Sequence, residues 1–384
     1  MTIASGIRAR VIYVAEVTHG TTPTTPVMKV LRCNSRAIEA LGEMLESEEA
    51  RSDRETTDVR TGFRSVGGNI AFELSLAAHD DVIEAALGGT WAAGTSVASI
   101  SAVASTSKFN RASGSFITDG YRPGQWVTVA GFTAPGDNGL FLVTAVSATD
   151  LTVVGTLTDE AAGGGKTVIQ TGKLLNSGST LTTFTFERQF LDVALYQPFR
   201  GVAVNTMSLS LKPKQIAQGS IGLVGMSYAA ESGTSLDAAP DAAPTYSPMN
   251  AFGGAMYEGG SAISVITGIE LAVDNKRTVE AVVGSANSPD VFDGHIMVSG
   301  TITMLFQNST HVNKFVNGTE TSVWFKMVDP DDSTQFISVC LPRVLYSGEK
   351  RDPQRQGPVV LTLPFRAFRH TTYGTSIWFQ RSNS

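Results

Sequence analysis

The segment Gly163 to Thr167 has the residue types of a phosphate-binding loop, in which backbone N–H groups and a lysine hold phosphate oxygens. Its spacing does not complete the motif, because the leading glycine would stand at position 160, where the chain has Glu160. Val168 to Gln170 then favour a strand, whereas a phosphate-binding loop opens a helix. The sequence therefore predicts a hairpin turn here rather than a nucleotide site.

Other catalytic or metal-binding patterns are also incomplete. The five histidines show neither H-x-x-x-H nor H-x-H spacing, and no Gly-x-Ser-x-Gly elbow presents a serine. Asp331 and Asp332 follow a proline between two predicted strands and are typical of a turn. Cys33 and Cys340 have no C-x-x-C partner and are interpreted as small buried apolar residues. We expect no cofactor, no metal and no enzymatic activity, although a catalytic pair built from distant strands stays open.

The composition favours a mainly β protein that does not bind nucleic acid tightly. Hydrophobic residues make up 42% of the 384 positions, whereas charged residues make up only 17%. A net charge of -6 argues against a protein that grips phosphate with clustered Lys and Arg. The first residues lack a secretory signal, and no apolar run of about 18 residues would cross a membrane. We expect a soluble protein in a reducing cytoplasm.

The elements that would position any site are mostly strands, marked by alternation of apolar and polar residues. Strands are predicted at 70–77, 184–188, 207–211, 266–273, 300–306, 323–327, 336–339 and 359–365. One short helix is predicted from His79 to Leu87, ended by Gly88. Ile38, Leu41 and Leu45 also have helical spacing, which predicts a second helix over 35–45.

Two longer-range patterns concern domain organisation. Residues 93–173 are rich in Ser, Ala, Thr and Gly with short Val-rich strands, so we expect a small β domain inserted between 1–92 and 174–384. Gly68 to Phe72 with the helix after it resembles Gly300 to Met304 followed by His311 to Val316. That similarity fits either a duplicated strand-helix unit or coincidence between two amphipathic strands.

The stretch Glu43 to Arg64 interleaves acidic and basic residues and has little apolar content. A loop of this length without secondary structure is usually functional or disordered. Its mixed charges can pair with a neighbouring copy around a ring, which is one interpretation; a solvated surface loop is the other. The candidate residues for such a contact are Arg51, Asp53, Arg54, Glu55, Asp58, Arg60 and Arg64.

Several segments together resemble the tail tube proteins of phages with long, non-contractile tails. The similar segments are Ser52-Asp53-Arg54, Gly62, Ser65 to Leu74, Phe184 to Phe190, Tyr196, Phe199, Gly201, Val204-Asn205, Met207 to Leu209, and Gln356 to Pro358 with Phe365 to Ala367. Their order and spacing carry the resemblance, which covers most of the chain outside 93–173.

This resemblance implies a β-sandwich or barrel with a short flanking helix, homohexameric rings, and stacking of rings into a hollow tube. It implies that residues 43–68 form an inter-ring loop. The insert departs from a minimal tube subunit, and we expect it to decorate the outer wall. The expected partners are further copies, the tape-measure, tail-terminator and tail-tip proteins, and passing double-stranded DNA without specific binding. The expected location is the virion tail, after synthesis in the host cytoplasm.

A channel for DNA should have an acidic or neutral wall, because a basic wall would bind phosphate at every ring. Strand faces with small or acidic residues are candidates for this wall, namely 71–75, 185–187 and 268–274, with Glu73, Glu270 and Asp274 as lumen-facing carboxylates. For any one of them, pairing with arginines between subunits is an equal alternative. The competing function is a β-rich adhesin or receptor-binding protein, which should concentrate exposed Tyr, Trp and Arg in loops at one end.

Overall fold

The computed structural model describes residues 3–50, 52–53, 55–353 and 356–383, apart from the side chains of residues 251–253. The chain before the insert forms strands β1 (Ala9–Ala15), β2 (Lys29–Val30), β3 (Ala37–Glu46), β4 (Val59–Glu73) and β5 (Ala92–Ala93). Helix α1 (Asp80–Leu87) lies between β4 and β5. The predicted helix is therefore confirmed, and its C-cap Gly88 has a left-handed φ of 63° that favours glycine.

Residues 96–170 form a separate seven-stranded sheet. Its strands are β6 (Ser96–Ala98), β7 (Ile100–Val103), β8 (Lys108–Arg111), β9 (Trp126–Ala130), β10 (Gly139–Val146), β11 (Asp150–Val153) and β12 (Thr167–Gln170). This sheet has a hydrophobic cluster of its own, which includes Phe109, Phe116 and Leu151. The segment that resembles a phosphate-binding loop is a turn into β12, and its Lys166 is paired with Glu160.

The rest of the chain supplies the remaining strands and a second helix. They are β13 (Lys173–Asn176), β14 (Phe184–Phe190), β15 (Leu195–Leu211), β16 (Gln218–Tyr228), β17 (Asn250–Glu258), β18 (Ser261–Ala262), β19 (Ile266–Asp274), β20 (Thr278–Val279), β21 (Val291–Phe292), β22 (Met297–Leu305), α2 (Thr310–Val316), β23 (Thr321–Val328), β24 (Phe336–Tyr346), β25 (Lys350–Asp352), β26 (Val360–Ala367) and β27 (Trp378–Arg381). Every predicted strand is present.

Two antiparallel layers enclose the main core. One layer, here called the open sheet, runs β3-β4-β16-β15-β19-β22-β26; the other, the covered sheet, runs β17-β23-β24-β27-β13. Strand β24 also pairs with β26, which joins the layers at one corner. Phe72 and Leu271 from the open sheet meet Phe325 and Val339 from the covered sheet in one buried cluster. The predicted β-sandwich with a flanking helix is confirmed.

Side chains at both ends of α1 fix it to the sandwich. Arg381 of β27 lies 2.8 Å from Asp80 in the first turn. At the other end, Arg277 donates to the carbonyl oxygen of Ala85 at 3.1 Å, and Asn275 donates to that of Ala86 at 2.9 Å. These partners satisfy carbonyl groups that a helix end leaves without intrahelical hydrogen bonds.

Two predictions for the region before α1 are wrong. The helical spacing over 35–45 does not produce a helix, because β4 offers the backbone of 37–46 a continuous antiparallel partner. The stretch 43–64 is not a loop without secondary structure, since β3 extends to Glu46 and β4 begins at Val59. The two strands form a long hairpin. We call its outer part, residues 42–65, the arm.

Candidate assembly and channel surfaces

The outward face of the open sheet is small and polar. Residues in register across neighbouring antiparallel strands point to the same side. One transverse row consists of Glu73, Gln218, Ser210, Glu270 and Thr301; the next consists of Ala71, Ser220, Ser208, Ala272 and Ser299. These two rows, with Asp274, are here called the polar face. A groove of about 580 Å³ runs over it beside Glu270, Ser299 and Thr301.

The structure brings the three predicted lumen carboxylates onto this face. Glu73 and Glu270 share a row, with β16 and β15 between their strands. Lys212 Nζ lies 2.7 Å from Glu270, and Lys276 Nζ lies 2.6 Å from Asp274. Partial burial alone would raise the pKa of Asp274, but hydrogen bonds from Lys276 lower it. Two of the three candidates are thus paired with lysines of the same chain.

Three positive charges lie beside the three carboxylates of the polar face. Arg366 of β26 is in register with Ser299 and adds a positive charge beside the polar face. Together with the two paired lysines, it offsets the three carboxylates. A phosphate backbone near this surface would meet neither a basic patch nor a strong negative field.

One strand face predicted to line a channel, residues 185–187, is buried instead. Thr185 donates to Glu16 at 2.7 Å, and Glu187 accepts from Ser235 at 2.7 Å and from the backbone N–H of Leu236 at 2.8 Å. The segments that carry Glu16 and 235–236 cover this side of β14, so alternation alone marked the wrong surface. Ser75 is also buried and lies beyond the end of β4.

The arm exposes apolar side chains that its own subunit does not cover. Met44 is 78% exposed, Leu45 56% and Val59 50%. Met44 pairs with Thr61 and Glu46 with Val59, so Met44, Glu46 and Val59 share one face of the hairpin. Apolar groups are expected to be buried in a protein's working assembly, and a two-stranded hairpin alone buries neither of its faces.

Several of the candidate charges in the arm form hydrogen bonds within their own chain. Arg60 Nε donates to Asp58 at 2.8 Å within the arm, and Asp53 accepts from the backbone N–H of Glu55 at 3.3 Å. Asp58 and Arg60 therefore have partners within the arm. The backbone N–H of Arg64 donates to Ala286 at 2.8 Å, which ties the arm base to the loop between β20 and β21. Arg51 and Arg54 lie outside the described residues.

An aromatic cluster fastens the 96–170 sheet to the covered sheet. We call it the clasp: Trp126 and Leu142 from the insert, with Trp324, Cys340 and Trp378 from the sandwich. Trp324 is 5% exposed and Trp378 1%. Lys326 Nζ lies 3.8 Å from the ring centroid of Trp126, a cation–π contact. Burial lowers the pKa of Lys326 and raises that of Cys340.

Gln380 adds a polar link to the clasp. Its side-chain oxygen accepts from the backbone N–H of Trp126 at 2.7 Å. Its amide nitrogen donates to the carbonyl oxygens of Trp126 at 2.6 Å and Thr171 at 2.9 Å. A buried glutamine therefore satisfies three backbone groups of the insert, as a neighbouring strand would.

A buried carboxylate holds α2 against the sandwich. Glu258 accepts from Lys314 Nζ at 2.7 Å and from Tyr346 Oη at 3.0 Å, and His311 Nδ1 lies 3.3 Å away. Burial alone would raise the pKa of Glu258, but hydrogen bonds from His311 and Lys314 outweigh burial and lower it to about 2. These partners come from α2 and β24, so the group serves as a structural anchor.

Sequence analysis missed Gln380, Trp126 and Lys212. A signal for the clasp was present: Trp324 and Lys326 alternate with core residues on β23, as Trp378 and Gln380 do on β27. Strands with large side chains on both faces indicate a sheet covered on both sides. Within the described residues, no group of three or more His, Cys, Asp or Glu is placed to hold a metal ion. In that same part of the chain, no helix has the length and hydrophobicity of a membrane span.

Comparison with known proteins identifies the family. A family model described as phage tail tube protein matches residues 6–367, so this chain belongs to the phage tail tube protein family. Membership implies self-assembly into a tube and a place in the tail of the virion. No curated protein matches the chain. The resemblance to phage tail tube proteins noted in the sequence is confirmed.

Proposed function

We propose that this chain is the tube subunit of a long, non-contractile phage tail, with six copies per ring and stacked rings around the channel for genome ejection. The observation that carries the proposal is the contrast between the two outer faces of the sandwich. The insert covers one of them through the clasp, while the polar face on the opposite layer stays open. A tube subunit needs two different faces, one toward a water-filled channel and the other toward the outside of the tube.

In this proposal the polar face lines the channel, with Glu73, Glu270 and Asp274 at its surface. The short side chains of the polar face leave space for DNA in the channel. Because its carboxylates and basic groups offset each other, the face does not bind phosphate. DNA carries about one negative charge per 1.7 Å of axis, so even a few unpaired lysines per ring would multiply along a tail. Repulsion is screened over about 8 Å at physiological salt, so the wall acts by not binding DNA rather than by driving it out.

The insert, residues 93–173, is a domain on the outer wall, since it lies on the layer opposite the polar face. The arm contacts a neighbouring ring. The proposed tail partners are the tape-measure, terminator and tip proteins. DNA passes through the channel without specific binding. No catalytic or cofactor function is assigned. The chain stays in the host cytoplasm until assembly.

Electron microscopy of the purified chain tests this function. Rings with sixfold symmetry, or tubes built from them, are the expected result over a range of concentrations. A chain that remains monomeric at high concentration, and is missing from the tail of the assembled phage, would instead favour an adhesin.

Changing the charge balance tests the channel wall. The triple variant Glu73→Gln, Glu270→Gln, Asp274→Asn removes three negative charges per subunit and leaves Lys212 and Lys276 without their paired carboxylates. Tubes should form normally, whereas genome release should slow, most strongly at low salt. Glu349→Gln, which removes a carboxylate paired with Arg351 off the polar face, is the control. Unchanged release in the triple variant would place the channel elsewhere.

A further inference from the structure

A cleft lies between the two layers at one end of the sandwich. It has a volume of about 520 Å³, and its apolar lining includes Leu211, Met256, Ile263, Ile266 and Phe325. Ile263 and Ile266 are only partly buried. Lys212, in the turn between β15 and β16, lies at the same cleft, and Lys214 of that turn is exposed.

The arm and this cleft lie at opposite ends of the open sheet. Strand β4 pairs with β16 from Glu73, opposite Gln218, to Val66, opposite Gly225. Leu211 and Ile269, which line the cleft, are paired with each other, and the neighbouring residue Ser210 is paired with Gln218. The cleft therefore lies at the end of the sheet that carries Glu73. Beyond Val66, β4 continues to Val59 with β3 as its ladder partner. At about 3.3 Å per residue, this overhang projects on the order of 20 Å past the opposite end.

The two surfaces are also complementary in chemistry. The arm presents Met44 and Val59 beside Glu46, and Glu48 follows along the same chain. The cleft presents isoleucine and methionine side chains beside a turn that carries the exposed Lys214 and Lys212, whose ammonium group is paired with Glu270. Docking would remove apolar side chains of both the arm and the cleft from water. The opposite charges would fix the position of the arm in the cleft.

We propose that the arm of one copy docks in this cleft of a second copy, with Met44 and Val59 against Ile263 and Ile266 and with Glu46 near the 212–214 turn. Because the two surfaces lie at opposite ends, the contact is head-to-tail and repeats without closing, as stacking along a tube axis requires. The inference rests on the proposed function, in which rings stack, and it names the surface that receives the arm.

Disulfide trapping tests the contact directly. The variant Met44→Cys with Ile263→Cys, in a Cys33→Ser background, should give a ladder of covalent multimers when assembled tubes are oxidised. Each single substitution in the same background is the control, since Cys340 is buried and common to all. Monomers alone from oxidised tubes of the double variant would overturn the docking site.

Mixing of two variants gives an independent test. Met44→Asp blocks the arm and Ile263→Asp blocks the cleft, so neither should form stacks by itself. An equimolar mixture retains one intact arm surface and one intact cleft surface, and it should give stacks that stop at two rings. Thermal unfolding close to that of the natural chain shows that each variant is folded.

The outcomes separate this contact from the proposed function. If the natural chain forms tubes and both aspartate variants do as well, the tube function stands and the docking site is wrong. If the natural chain forms neither rings nor tubes, the proposed function itself is contradicted.

Discussion

The insert and the arm both extend from the sandwich, but they differ in what supports them. The insert has its own sheet and hydrophobic cluster, and the clasp buries its contact with the covered sheet. The arm is two strands with exposed apolar groups on at least one face. A region with a core contributes to the stability of the single chain, whereas a region without one must draw its stabilisation from another copy.

Substitutions in the two regions should therefore affect different properties of the protein. Changes in the clasp should alter the free energy of unfolding of the monomer. Changes in the arm should leave that free energy nearly constant and alter assembly.

Shortening the arm should have the largest effect. Replacing residues 43–63 by an Asn-Gly turn keeps the Gly42–Arg64 pair but removes Met44, Glu46 and Val59 together with the projecting end. We expect loss of tubes in electron micrographs, with an unfolding free energy within about 0.5 kcal/mol of the natural value.

The full-length variant Asp58→Asn is the matched control. It removes an exposed ion pair of small energetic value and should still form tubes. Tubes of normal length from the shortened variant would make the arm a passive surface feature and would remove the contrast with the insert.

Removing the insert should have the next largest effect. Ala92 and Leu174 are paired across β5 and β13, so a short Gly-Ser link can bridge them. The bridged chain uncovers Trp324, Cys340 and Trp378, and each loses about 1.5 to 3 kcal/mol of burial, so we expect aggregation. With these three residues changed to Thr, Ser and Thr, it should fold and form thinner tubes. Failure of this polar variant to fold would show that the insert belongs to the main core.

Gln380→Ala should weaken the clasp without removing it. It removes the partner of the Trp126 N–H and of the Thr171 carbonyl oxygen, whereas the Trp126 carbonyl oxygen still accepts from the N–H of Thr171. This loss should cost about 2 to 3 kcal/mol in denaturant unfolding. Gln218→Ala on the polar face is the control and should change stability by less than about 0.5 kcal/mol. Equal effects from the two substitutions would contradict a buried polar link at the clasp.

Lowering the pH should destabilise the insert through protonation of Glu160. This is the smallest of the expected effects. Hydrogen bonds from Lys166 and from the backbone of Thr133 and Ala134 lower the pKa of Glu160 to about 2. Its stabilising contribution is therefore complete above the ordinary carboxyl pKa, near 4.3, and is lost as the pH falls toward 2. Stability measured over this range should fall less steeply in Glu160→Gln and Lys166→Met than in the natural chain. Parallel curves would contradict this assignment.

Local patterns were sufficient for most elements of the fold. Alternating residues predicted strands such as β4, β19 and β22, because a strand with one buried face must alternate. Asp80, Asp81 and Gly88 marked both ends of α1, because helix ends have specific chemical needs. The pattern was misleading at 37–46, where the spacing of Ile38, Leu41 and Leu45 suggested a helix. The segment is a strand because its backbone hydrogen-bonds to β4.

By itself, the sequence determined which residues alternate, where a helix must stop and which stretch is too charged for a core. Only the tertiary structure decided which polar faces stay open. Glu73 and Glu270 remain on an uncovered face, whereas Glu187, with the same alternation, is buried under residues 235–236. The physical reason is that alternation records the two sides of a strand, while the covering of either side depends on segments far away in the chain.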